Sequence, residues 1–170
     1  EFATDIYQKV KMNNRTRYLS LCNYLKEKHK IIVKDILPEE NKPFSKIFFP
    51  EKKEFHLSDL LNLETKKLFA AALVAQLEAD EIINEYLDEF SFPSETSRKV
   101  TKVALLNYAG AAIIMPYETF FNECVKKHRY DLELLQSTFA VSFEQVCHRV
   151  TCLNNPDPKL RGIPLHMIRV

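Results

Sequence analysis

Glycine is nearly absent from this 170-residue sequence; only Gly110 and Gly162 occur, too far apart to share a motif. A loop that cradles phosphate needs several glycines close together, because its backbone adopts conformations other residues avoid, so glycine-rich nucleotide loops are excluded by count. An excess of charge is missing as well. With 24 Lys+Arg against 23 Asp+Glu, the net charge of +1 leaves no electrostatic footprint for nucleic acid or an anionic membrane surface. No apolar run approaches the roughly 20 residues of a membrane span, and no signal peptide is visible. Without a secretory context, Cys22, Cys124, Cys147 and Cys152 read as free thiols.

The common catalytic patterns are also missing. No two of His29, His56, His128, His148 and His166 have the i, i+4 spacing that places two imidazoles on one helical face, so there is no H-E-x-x-H. Cys147 and Cys152 on one helix would be turned about 140° apart, and Cys147 and His148 about 100°, so neither pair forms a clamp or a dyad by itself. There is no G-x-S-x-G.

The pattern that is present is α+β, with a helical majority packed on a small sheet. Apolar residues Ile6, Val10, Tyr18, Leu21 and Leu25 recur at helical spacing over residues 4–30, as one helix or as two split by the polar stretch 11–17. IIVKDIL, SKIFF and EFHLS read as three short strands between residues 31 and 58, the last two as a hairpin. Helices follow over 63–90, from a cap at Ser94 or Thr96 to Met115, over 117–127, from Asp131, and from the capping box Ser142/Gln145. IPLHMIRV, at 163–170, reads as a last strand.

Within this frame KKLFAAALVAQLE stands out. Leu68 to Ala75 are eight consecutive apolar residues, too apolar for a surface helix and too short to cross a bilayer. The segment 131–151 has the cadence of a helix-turn-helix, but three acids against Arg149 give it a charge of about −2 where a phosphate backbone would lie, and packing is the better reading. The basic run 126–129 suits a helix C-terminus. His148 and Arg149, with Lys159, Arg161 and Arg169, would hold a phosphate or carboxylate if the fold brings them together.

NYAGAAIIMPYETF, RYDLELLQSTFAVSFEQVCHRVTCL and RGIPLHMIRV closely resemble the sensory region of bacterial short-chain fatty acyl transcriptional regulators. These are the RamB/PrpR-like members of the XRE superfamily, whose sensory part contains an ImmA/IrrE-type domain. The match is dense from Leu105 to Val170 and looser over residues 20–80. In ImmA/IrrE metallopeptidases the core helix carries H-E-x-x-H. The resemblance places that motif on Ala72, Leu73, Val74, Ala75 and Gln76, and the third metal ligand near Leu105, so metal ligands and general base are all missing.

The resemblance therefore implies the peptidase fold without the enzyme, no metal and no cofactor within this fragment, and a cytoplasmic regulator. Residues 1–30 would be a linker or dimerisation helix and 31–170 the sensory domain. The DNA-binding helix-turn-helix domain and a cysteine-containing C-terminal continuation are expected outside the fragment. The implied partners are an acyl-CoA or related short-chain metabolite, DNA only through the missing domain, and a second copy; no membrane is implied. Family match and side-chain chemistry together select Tyr117, His148, Arg149 and Arg161 as ligand-binding residues. The competing readings are a dimerisation or protein-interaction module and a residual peptidase.

Overall fold

In a computed structural model the described residues are 2–12 and 16–168. The N-terminal part forms two helices, α1 (Phe2–Lys9) and α2 (Arg17–His29). They bury Ile6, Val10, Leu21 and Leu25 in the same core as the rest of the chain, α1 against α4 and α2 against α3.

The sheet contains β1 (Ile32–Ile36), β2 (Lys46–Phe49) and β3 (Glu54–Ser58) in the order β1-β3-β2. β2 and β3 form the antiparallel hairpin expected from the sequence, with Phe48 opposite Phe55, and β1 runs parallel to β3. Strand alternation turns Phe55 and Leu57 of β3 inward and leaves Glu54 and His56 half-buried on the other face, where Lys34 and His56 contact Glu54.

The helical majority is α3 (Leu63–Asp88), α4 (Glu95–Ile114), α5 (Tyr117–Phe121) running into a π-helical segment at Asn122–Lys127, α6 (Leu132–Phe139) and α7 (Phe143–Thr151). Side-chain caps fix several starts: Asn62 for α3, Ser94 for α4, Asp131 for α6, and the reciprocal Ser142/Gln145 capping box for α7. The KKLFAAALVAQLE run is the central part of α3, with Ala70 to Ala75 at most 4% exposed. A helix that is apolar all round must be buried on all sides, and this one is. α3 and α4 approach closely because Gly110 has no side chain: a Cβ there would stand 2.7 Å from the backbone nitrogen of Ala72.

Both glycines keep ordinary backbone angles, and the left-handed conformations fall instead on Lys11, Lys30, Lys53, Arg129, Tyr130 and Ala140. Ala140 ends α6 in this way. The carbonyls at that end are taken by two buried cations: Arg17 Nη1 donates to Phe139 O at 2.5 Å, and Lys67 Nζ donates to Ala140 O. Burial, with Arg17 nearby, pushes the Lys67 ammonium down to about 8.

One sequence expectation fails. Residues 163–168 form no strand. Pro164 has no N–H to give a ladder. The segment's backbone is instead tied to side chain and loop: Gly162 N donates to Leu153 O, and Ile163 N to the Tyr130 hydroxyl. Arg169 and Val170 lie outside the described residues.

Candidate functional site

Two cavities flank α4. The first lies between α3, α4 and the β2–β3 hairpin, at the positions where the resemblance places the metal motif. Ala72, Leu73 and Gln76 line it, facing Phe48 and Phe55 of the sheet and Val103 and Leu106 of α4. Its volume is about 200 Å³, below the roughly 300–1,000 Å³ usual for a small-molecule site. Leu105, near which the resemblance places the third ligand, is turned about 100° from Leu106, and it is Leu106 that lines the cavity. A metal needs nitrogen, oxygen or sulfur donors. Apart from the Gln76 amide, the positions that would supply them here carry carbon, so the residues do not fit a zinc site. Among the described residues no group of three His, Cys, Asp or Glu converges anywhere.

The second cavity, about 500 Å³, lies between α4 and α7. Ala104, Asn107, Tyr108 and Ala111 form one stripe of α4, and Gln145, His148, Arg149 and Cys152 the facing stripe of α7 and its cap. Both follow i, i+3, i+4, i+7, the spacing that aligns side chains along one helical face. Leu68 of α3 closes the floor.

Arg149 gives this cavity its chemistry. It is 3% exposed, yet only its Nε has a hydrogen bond, donated to Met115 O at 3.0 Å. Nη1 is buried without a partner, and among the described residues no carboxylate lies within ion-pair distance. The guanidinium carbon instead stands 5.9 Å from the Tyr108 ring centre and 5.8 Å from that of Tyr117. Two ring faces stabilise a cation, but a buried charge without a counter-charge remains expensive. The Asn107 Oδ1 is a second buried polar atom without a partner.

The sequence profile of the IrrE N-terminal-like domain family, peptidase M78, matches residues 27–151. The chain belongs to this family. It is 35% identical over 100 residues to the HTH-type transcriptional regulator RamB of Mycobacterium tuberculosis, a match covering 59% of this chain and 20% of RamB. It is 29% identical over 139 residues to the HTH-type transcriptional regulator PrpR of the same organism, covering 82% of this chain and 27% of PrpR. The propionyl-CoA carboxylase regulator of Cereibacter sphaeroides is 35% identical over 97 residues, covering 57% of this chain and 20% of that protein. Among solved structures, a Mycobacterium tuberculosis transcriptional regulator superposes with a TM-score of 0.83 at 25% identity, covering 95% of this chain and 48% of the other. The chain thus spans a fifth to about a quarter of the length of the three curated relatives, and about half of the solved chain. The α+β IrrE-like fold and the likeness to regulators agree with the reading from sequence.

Within this IrrE-like frame the four residues selected from sequence are distributed unequally. Arg149 lies in the α4–α7 cavity and the exposed His148 on its rim, with His148 Nε2 3.9 Å from Glu144. Tyr117 stacks on Arg149, and its hydroxyl donates to Leu160 O at 3.0 Å; burial pushes the phenol's pKa up. Arg161 does not line the α4–α7 cavity, though its charge acts on the Tyr117 phenol. It lines a neighbouring groove with His148 and His166, and its guanidinium donates to Asn155 O at 2.7 Å and Pro156 O at 2.8 Å. Sequence reasoning missed Asn107 and Tyr108. The available signal was a polar and an aromatic residue on the same stripe as Ala104 and Ala111, inside an otherwise apolar helix.

Proposed function

We propose that this domain is the ligand-sensing part of a transcriptional regulator of short-chain fatty acyl metabolism, taking an acyl-CoA or related short-chain metabolite between α4 and α7. The single observation that carries the reading is Arg149, a buried guanidinium beside a cavity and without a counter-charge. Such a charge is a standing cost unless an anion arrives. Leu68, Ala104 and Ala111 supply an apolar wall for an aliphatic chain.

The regulator names of RamB, PrpR and the propionyl-CoA carboxylase regulator support the same reading. In this reading DNA is contacted through the helix-turn-helix domain of the full regulator, in the cytoplasm. The module is not an enzyme; the carbon-lined α3 positions support that. Titration calorimetry with acetyl-, propionyl- and butyryl-CoA and the matching free acids tests the proposal. Binding of at least one of them is expected, and absence of heat with every one removes it.

A second reading, a homodimerisation module, is favoured by Ile82, Tyr86 and Phe90, which recur at i, i+4, i+8 along the distal part of α3 and just beyond it and are each at least half exposed. Sedimentation velocity tests it; a monomer at all concentrations rejects it.

A further inference from the structure

We infer that Lys46 is a modification site: its amine takes a short acyl group from an acyl thioester, and the acyl chain lodges in the carbon-lined cavity between α3, α4 and the hairpin. The ligand-sensing reading supplies the class of co-reactant, a short-chain thioester; the site itself is separate from the α4–α7 cavity.

Lys46 begins β2, the edge strand beside that cavity, and is open to solvent. Its Nζ stands 4.3 Å from the centre of the Phe69 ring, and both residues line the cavity. The ring face stabilises the ammonium in part. No carboxylate among the described residues adds to that, and desolvation holds the amine below the ordinary lysine value. More of Lys46 is therefore the neutral amine, which is the nucleophile. Other lysines differ. Lys9 and Lys28 are held up by Asp5 and Glu78. Lys67 is pushed down to about 8, but it is 3% exposed and its ammonium engages Ala140 O. Lys46 combines a lowered pKa with access.

The cavity supplies the selectivity. Apart from Lys46 and Gln76 its lining is carbon, Phe48, Leu73, Val103 and Leu106 included. A volume of about 200 Å³ is small for a whole ligand but suits a short alkyl chain. Acyl transfer asks for no more, because the thiol part stays outside. The nitrogen attacks the thioester carbonyl carbon, a C–N bond forms and the C–S bond breaks. The proton lost from nitrogen passes through water to the departing thiolate. The Gln76 amide can donate to the carbonyl oxygen as charge develops there. The amide product is neutral, so a partly desolvated charge is removed, and its chain covers apolar surface in the cavity.

The test is peptide mapping by mass spectrometry of the chain incubated with acetyl-CoA, butyryl-CoA and butyryl-N-acetylcysteamine, a thioester without the nucleotide. Lys46 is expected to be acylated at least about tenfold faster than the exposed Lys42 and Lys99. Val103→Phe, at a half-exposed position on the cavity wall, leaves the amine in place. It should slow butyryl transfer to Lys46 about tenfold, acetyl transfer less, and transfer to Lys99 not at all. Incorporation at Lys46 no faster than at Lys42 and Lys99 overturns the inference. So does fast incorporation that Val103→Phe leaves unchanged, which would mark a reactive lysine without an acyl-binding cavity. Calorimetry with butyryl-CoA on Lys46→Arg, which keeps a cation over Phe69, reads the sensor proposal separately. Reversible binding there without selective acylation of the wild type leaves the sensor standing and removes this inference; selective acylation without reversible binding does the reverse.

Discussion

The cavities on the two sides of α4 differ in what they kept. On one side, α3 and the hairpin preserve the space where the peptidase fold places its metal, but Ala72, Leu73 and Leu106 present carbon to a volume of about 200 Å³. On the other, about 500 Å³ adjoins a buried guanidinium that no acid of the described chain neutralises. The fold keeps its helix pair in either case, because the pair is held by packing around Gly110 and the α3 alanines and not by the chemistry of either cavity.

The comparison can be broken most forcefully at Gly110, which both cavities depend on. Gly110→Ala places a Cβ 2.7 Å from Ala72 N, against rigid backbone. It should destabilise the domain by about 3 kcal/mol in urea unfolding; an unchanged midpoint would show that the helix pair is not fixed by this contact.

Lys67 asks whether every buried cation here behaves like Arg149. Its ammonium has a partner in Ala140 O but titrates near 8 against an ordinary 10.5. The native state thus releases the proton first, and the unfolded chain binds more protons between pH 8 and 10.5. Stability attributable to Lys67 should rise through that window, by roughly 3 kcal/mol. Burial of Cys22 and Cys124, which pushes their thiols up to about 11, acts in the opposite sense above pH 9. The quantity to measure is therefore the difference between wild type and Lys67→Met, and a flat difference from pH 7 to 10.5 would contradict the burial argument.

Arg149→Met sharpens the contrast with the carbon-lined cleft. Removing an unpaired buried charge is expected to leave stability unchanged or raise it by about 1 kcal/mol, while ligand heat disappears. A loss of several kcal/mol would instead mark Arg149 as a structural strut. Tyr117→Phe keeps the ring on the guanidinium and deletes the hydrogen bond to Leu160 O. About 1 kcal/mol should be lost, with faster proteolysis of residues 156–168. Gln76→Leu completes the series on the cleft side. Stability should shift by no more than about 0.5 kcal/mol and ligand binding not at all; a binding defect there would move the functional site to the other face of α4.

Much of the architecture could be read along the chain because it rests on local rules. The capping residues Asn62, Ser94, Asp131 and Ser142 sit where side-chain oxygens can meet free N–H groups, and three of these caps follow from spacing alone. The hairpin follows from two β-branched and aromatic runs around a tight connection. The final strand misled because apolar alternation is only a statement about two faces; it names no partner strand, and here Tyr130 and Leu153 take the backbone bonds instead. Arg161 shows a similar limit, since proximity in sequence to a basic cluster does not show that its guanidinium donates to loop carbonyls.

The sequence by itself determined that α3 is a buried helix with no metal donors at Ala72 and Leu73, since residue type and helical period need no third dimension. Only the tertiary structure decided which face of α4 the buried guanidinium stands beside. Whether Arg149 is neutralised depends on every side chain within a few ångströms, drawn from α4, α5 and α7. A charge has no fixed meaning in a sequence; its cost and its use come from the dielectric and the partners that folding places around it.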